Sequence, residues 1–260
     1  MKRPIYQVDA FASRVFSGNP AAVCPLEAWL DDAVLQSIAL ENNLSETAFF
    51  VPGEGGFHLR WFTPVDEVDL CGHATLASAF VIFNVLKYDQ PSVAFSSRSG
   101  KLTVTQHDGL LTMNFPSKPP QPCDGSEAIA EGLGKRPEAV LSDGDDFLAV
   151  FLFERDILDI QPDMGKLKKL AGRGVIITAP GNNADFVSRF FAPKLGVDED
   201  PVTGSTHCLL TPYWAGKLDR SRLKAQQLSK RGGELICELQ GDRVSISGGA
   251  VLYLEGQITI

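Results

Sequence analysis

At 260 residues, with 44% hydrophobic and 22% charged side chains, the chain is long enough for one large domain or two of about 130 residues, each with its own core. Lys and Arg number 24 against 32 Asp and Glu, and the resulting net charge of −8 argues against nucleic acid or an anionic membrane as the main partner. The five cysteines show no CxxC spacing, and Lys2 and Arg3 are followed by Asp9 rather than by an apolar run, which predicts free thiols and a cytoplasmic protein.

Residues 5–11 read as a strand, and Ser17, Gly18, Asn19 and Pro20 as a turn. Asp31 and Asp32 then favour a helix start, with Val34, Leu35, Ile38 and Ala39 as its core stripe and Asn42 and Asn43 as its stop. Strands at 47–51 and 57–63 flank a glycine-rich loop, so Ser45 and Glu46 lie where a turn enters a sheet. Residues 74–86 are apolar on every face and too short to span a bilayer, which predicts a slim helix enclosed by other structure. Strands at 93–95, 101–106 and 110–115 follow, and Pro116, Pro119, Pro120 and Pro122 then form a stiff linker near the midpoint. Beyond it the pattern predicts a helix at 127–133, a strand at 146–154, a polar helix at 164–171 and strands at 174–178 and 185–191. A helix at 205–215, kinked by Pro212, precedes antiparallel strands at 234–239, 243–247 and 250–258.

Two stretches share one pattern. Arg60-Trp61-Phe62-Thr63-Pro64 leads through an acidic patch to Cys71-Gly72-His73, and Arg189-Phe190-Phe191-Ala192-Pro193 leads through Asp200 to Thr203-Gly204-Ser205. Each reads as a strand, a glycine turn and a helix start, which suggests two similar halves. The first N–H groups of a helix have no intrahelical partner and sit at the positive end of its dipole, so such starts bind carboxylates and phosphates. One start contributes about 0.3–1 kcal/mol when exposed and up to about 2 when partly buried. His73 and His207 at these starts are expected to be neutral. Cys71 reads either as a thiolate of lowered pKa or as a small buried hydrophobe. Read alone, Glu46 is a loop carboxylate and Asp200 a turn or cap acid. Gly172-Arg173-Gly174 lacks the third glycine of a dinucleotide fingerprint, no phosphate loop or HExxH occurs, and Asp143-Gly144-Asp145-Asp146 is too short for a calcium loop. The sequence indicates no metal and no organic cofactor.

The motifs Gly18-Asn19-Pro20-Ala21-Ala22-Val23 after Phe11, Asn43-Leu44-Ser45-Glu46-Thr47-Ala48-Phe49, Arg60-Trp61-Phe62-Thr63-Pro64, Leu70-Cys71-Gly72-His73-Ala74-Thr75 and Asp200-Pro201-Val202-Thr203-Gly204-Ser205 together resemble the PhzF (phenazine biosynthesis-like) family, nearly end to end. The resemblance implies an α+β, diaminopimelate epimerase-like fold. Its two pseudo-symmetric halves, residues 1–117 with 247–260 and residues 118–246, would each wrap a β-barrel-like sheet around a central helix, with the active site in the cleft between them. It also implies a homodimer and cofactor-independent isomerisation by proton transfer on a small cyclic or amino-acid-like carboxylate, with dihydro-hydroxyanthranilate as the family precedent. Glu46 matches the acid/base residue, its pKa expected to be raised in an apolar cleft. His73 and Asp200 match groups that steady the substrate or relay protons, and Gly18, Asn19, Ser45, Gly72, Ala74, Gly204 and Ser205 are the substrate-binding candidates. Fold relatives that use two thiols supply an alternative, a racemase built on Cys71. No cysteine precedes Gly204, however, and Cys208 lies on its far side. A non-catalytic binding protein on the same scaffold is a third reading, against which the intact Glu46, His73 and Asp200 count.

Overall fold

In the computed structural model, which describes all residues Met1–Ile260, the turn at Ser17 and Gly18 returns strand β1 (Lys2–Ala10) antiparallel onto β2 (Asn19–Pro25), with Ala10 opposite Asn19. Gly18 has φ +69°, and a Cβ there would stand 2.1 Å from the Ala10 carbonyl oxygen, so this turn requires glycine. Helix α1 (Asp32–Asn42) ends at Asn43, whose φ of 50° lets its N–H donate back to the Ala39 carbonyl. Strand β3 (Glu46–Gly53) runs parallel to β2 with Glu46 beside Ala21, and folds back antiparallel on β4 (Gly56–Phe62), which also pairs with the short β5 (Glu67–Val68).

Helix α2 (Gly72–Phe80) continues into a π-helical turn, Val81–Val85, and every residue from His73 to Ala79 is buried. Its alanines let β1, β2 and β3 approach closely, which encloses a helix that has no polar face. Strands β6 (Ser92–Ser97), β7 (Gly100–His107) and β8 (Leu110–Pro116) form an antiparallel meander.

The second half of the chain adds β9 (Gln121–Pro122), α3 (Ser126–Leu133), β10 (Ala139–Ser142), β11 (Asp146–Val150), α4 (Glu154–Asp159), α5 (Met164–Leu167), β12 (Gly174–Pro180), β13 (Phe186–Ala192) and β14 (Val197–Asp200). Helix α6 (Gly204–Leu218) and strands β15 (Arg222–Gln227), β16 (Gly233–Gln240), β17 (Arg243–Gly248) and β18 (Ala250–Thr259) complete it. The chain divides into two compact units, Met1–Asn114 with Ser247–Ile260, and Phe115–Ile246. In the first, β18 returns to pair antiparallel with β1 along its whole length. In the second, α6 packs on β15 and β16, and a core of α3, α4 and α5 covers β11, β12 and β13.

Two predicted elements differ. The strand at 146–154 ends at Val150, because Phe153 turns the chain into α4, whose first turn carries Glu154 and Asp156 where acids favour a helix start. The polar helix at 164–171 is a single α-helical turn, Met164–Leu167, followed by turns, with Leu167 buried and Met164 and Leu170 packed partly buried against the same core. Pro212 stands inside an unbroken α6. The Cys208 carbonyl, deprived of its i+4 donor by Pro212, accepts the Lys118 N–H at 2.9 Å, so the proline-rich segment supplies the missing bond.

The repeated arginines perform the same task in each unit. Arg60 on β4 holds both Glu67 oxygens at 2.7 Å while its guanidinium lies 5.0 Å from the Phe62 ring centre. Arg189 on β13 holds Glu199 at 2.7 and 3.1 Å, with its guanidinium 4.8 Å from the Phe191 ring centre. Each bidentate fork ties a strand to the segment that leads into a glycine helix start.

Phe11 leaves β1 at φ 57° with its side chain fully buried, and a Cβ on Gly248 would meet its ring at 2.4 Å. Gly248→Ala is therefore expected to cost about 1–3 kcal/mol through overpacking. In urea unfolding, Gly248→Ala combined with Phe11→Leu should lose less than the sum of the two single changes; strict additivity would show that the ring and the glycine do not meet.

Candidate functional site

The parallel pairing of β2 with β3 sets Glu46 at the first residue of β3, beside Ala21 and near the buried Gly18 and Asn19 that open β2. Ser45 precedes it, half-buried in the turn. Helix α2, lying on these same strands, brings its N-terminus to this end of the sheet. Cys71 takes the extended N-cap conformation without a side-chain cap, and the first helical bond runs from the Thr75 N–H to the Cys71 carbonyl at 3.1 Å. The N–H groups of Gly72, His73 and Ala74 thus have no intrahelical acceptor.

The imidazole of His73 joins two residues that lie far apart in sequence. Its Nε2 is 3.1 Å from Glu46 Oε2, and its Nδ1 is 3.5 Å from Cys71 Sγ. Only 8% of the His73 side chain and 19% of the Glu46 side chain are exposed. The Nε2–Oε2 contact is at ion-pair distance but off the hydrogen-bond line, which leaves both buried atoms a hydrogen-bonding direction to spend on a ligand. Each of Glu46, Cys71 and His73 offers a ligand atom, all within 4.8 Å of one another, a set able to hold a metal ion. Their separation in sequence hides this grouping, which only the meeting of β3 with α2 creates.

The electrostatics reverse two expectations and decide between the two readings of Cys71. Burial pushes the Glu46 carboxyl upward, but the charge of the adjoining His73 outweighs it, so the Glu46 pKa is lowered rather than raised. Burial opposes charge on His73 too, but the Cys71 sulfur accepting from Nδ1 and the Glu46 carboxylate beside Nε2 overcome it, and its pKa lies well above that of an ordinary imidazole. His73 is therefore an imidazolium, not the neutral ring expected at a helix start. Burial, with the Glu46 charge, lifts the Cys71 thiol to about 11, so it is a protonated thiol and not a thiolate. The Glu46 carboxylate acts on both neighbours, favouring charge on His73 and opposing it on Cys71, while His73 in turn holds the carboxylate ionised.

The second helix start is built differently. Thr203, the N-cap of α6, donates its hydroxyl to the half-buried Asp200 carboxylate. Gln227, buried at the end of β15, accepts the Thr203 N–H at 2.9 Å and donates to the Asp200 carbonyl at 2.8 Å. Gly204 is buried, while Ser205 is exposed and receives Arg173 Nη2 at 3.2 Å. Arg173 is itself held by Asp146, through Nε at 2.9 Å and through Nη2. His207 is buried one turn into α6 and pushed down to about 4 by burial, so its neutral ring donates from Nδ1 to the Thr203 carbonyl at 2.8 Å. Sequence reasoning missed Gln227 and Arg173. A glutamine closing an alternating strand is the one signal for the first, and the second was read only as part of a failed glycine motif.

The family described as phenazine biosynthesis-like protein, PhzC-PhzF, matches residues 8–256. An uncharacterized isomerase of Pseudomonas aeruginosa is 52% identical over 258 residues, covering 99% of both chains. A crystal structure of a PhzF family phenazine biosynthesis protein from Enterococcus faecalis superposes with a TM-score of 0.98 at 47% identity, covering 100% of each chain. A hydroxyproline epimerase from Agrobacterium vitis, solved with bound trans-4-hydroxy-L-proline, shares the fold alone: its TM-score is 0.60 at 10% identity, over 99% of this chain and 92% of that one. No helix is long and apolar enough to cross a membrane. With the mixed α+β architecture, the repeated glycine helix starts and a family match that spans nearly its whole length, the chain belongs to the PhzF, phenazine biosynthesis-like family.

Proposed function

We propose that this protein is an isomerase that relocates a proton on a small carboxylate-bearing substrate without an organic cofactor, with Glu46 as the acid/base group. The observation that carries this reading is the buried Glu46–His73 pair beside an uncapped helix start. Its relatives named isomerases support the reaction class.

The lowered pKa of Glu46 keeps it ionised at neutral pH and ready to accept a proton from carbon. The C–H electron pair passes into the substrate's adjacent unsaturated system, and the same carboxyl returns the proton to a second carbon. A carboxylate stabilised in this way is a weak base. When Glu46 becomes neutral, however, the charge of His73 is no longer balanced by it and acts on the negative charge developing on the substrate. The N–H groups of Gly72, His73 and Ala74 add to that field at little reorganisation cost. Gly18, Asn19 and Ser45 are assigned to contact with the substrate. The thiol racemase is the weaker reading: Cys71 is a neutral thiol, and Thr203 occupies the position where a second cysteine would stand.

The test is deuterium uptake in D₂O, followed by NMR over dihydro-hydroxyanthranilate, proline, diaminopimelate and related carboxylates. Glu46→Gln is expected to slow uptake by about 10²–10⁴-fold with the fold intact. Uptake that survives Glu46→Gln but is lost in Cys71→Ser would replace this reading with the racemase.

The ion pair also has a pH signature. The contribution of Glu46 to stability is present above its ordinary pKa of 4.5 and is lost as pH falls through its lower folded value. That of His73 is complete below its ordinary 6.5 and is lost as pH rises through its higher folded value. The destabilisation caused by Glu46→Gln should therefore be greatest between these limits and shrink on either side, as measured by denaturant unfolding across pH. In imidazole NMR titrations, Glu46→Gln should lower the His73 pKa. An unchanged value would show that the carboxylate does not set it.

A further inference from the structure

We propose that Glu46, Cys71 and His73 form a three-ligand site for zinc(II). Thiolate, imidazole and carboxylate are the three side-chain ligands that zinc prefers, and three protein ligands plus one open position make a complete tetrahedral site. Two ligand atoms held at about 2.3 Å (sulfur) and about 2.0–2.1 Å (nitrogen) around a tetrahedral ion stand about 3.5 Å apart. Cys71 Sγ and His73 Nδ1 are 3.5 Å apart, so this pair already has chelate spacing. All three residues offer a ligand atom within 4.8 Å of the others, and the proposed site requires the Glu46 carboxylate, now 3.1 Å from Nε2, to turn toward an ion held between Sγ and Nδ1. The thiol is free of any disulfide, and Glu46 Oε2 has no aligned hydrogen bond to give up.

The burial of the group distinguishes it from an ordinary surface cluster. Cys71 and His73 are 7% exposed, yet Glu46 retains enough exposure to give an ion a way in. Once Cys71 and His73 Nδ1 have given up their protons, the buried thiolate and carboxylate form an anionic set that a divalent cation neutralises. Binding breaks the Cys71 S–H bond and the N–H bond at His73 Nδ1. Both protons pass to water as the Zn–S and Zn–N bonds form, and nothing is oxidised or reduced. Zinc in this position takes up the carboxylate and the imidazole that proton transfer needs, so its presence and turnover exclude each other. That consequence rests on the isomerase reading, whereas the binding itself does not.

The experiment is a titration of the full chain with cobalt(II) as a zinc surrogate, read by the near-ultraviolet thiolate-to-cobalt charge-transfer band and followed by displacement with zinc. One equivalent is expected to bind with the band present, and zinc to abolish it. Cys123→Ser, at the half-exposed cysteine outside the group, should leave the titration unchanged. Cys71→Ser should lose the band, and His73→Gln should weaken binding by about tenfold or more. Circular dichroism establishes that each variant is folded, and Cys71→Ala serves in place of Cys71→Ser if the latter is not. Absence of the band in the wild type, or its persistence in a folded Cys71 variant, would overturn the proposal. Because the titration needs no turnover, its failure is separate from any failure of the deuterium exchange.

Discussion

Burying α2 on all sides leaves the first N–H groups of that helix with little water and no side-chain cap to bond, and much of the first unit is arranged around that constraint. The alanines that let β1, β2 and β3 close around the helix also bring Gly72, His73 and Ala74 against the edge where β3 begins. A buried helix start carries positive potential, and an anion nearby is its natural complement. Glu46 supplies one anion from the protein itself. In the proposed isomerase the N–H groups of Gly72, His73 and Ala74 face the substrate.

That carboxylate determines the ionisation of its neighbours. A charged pair in such surroundings gains from mutual attraction but loses solvation, and burial alone would neutralise both members. Here the pair prevails for both Glu46 and His73, whereas the thiol of Cys71, which faces the same negative charge, is driven further toward its protonated form. The three groups titrate as one unit. A proton added to Glu46 removes the charge that holds His73 ionised and Cys71 protonated. Catalysis by proton transfer would exploit this coupling, since the state that follows proton abstraction differs electrostatically from the state that precedes it.

The two units repeat a plan and vary its chemistry. Each has an arginine fork on its glutamate, an aromatic ring under the guanidinium and a glycine that opens a helix. The N-cap is Cys71 in one and Thr203 in the other. Cys71 adjoins a charged imidazole. Thr203 donates to Asp200 and is anchored by Gln227, and its nearby histidine is neutral because burial opposes its charge. Repetition of the frame with divergence at the N-cap is what allows one unit to hold an acid/base pair and the other a polar helix start.

From the sequence alone, several features were determined by local chemistry: the turn at Gly18, the stop at Asn43, the glycine helix starts, the fully apolar α2 and the alternating strands that close the chain. The motifs also identified the family and singled out Glu46, His73 and Asp200. What the sequence could not determine was anything that depends on residues distant in the chain meeting one another. The ionisation of Glu46 and His73 is decided by a contact across 27 residues, and the bond that rescues the Cys208 carbonyl comes from Lys118, 90 residues away. Gln227 and Arg173 gained their places only when β15 and the segment before β12 folded against the α6 helix start. Periodicity and turn chemistry act over a few residues and can be read from them. Desolvation and Coulomb energy depend on which groups share a buried space, and only the tertiary structure decides that.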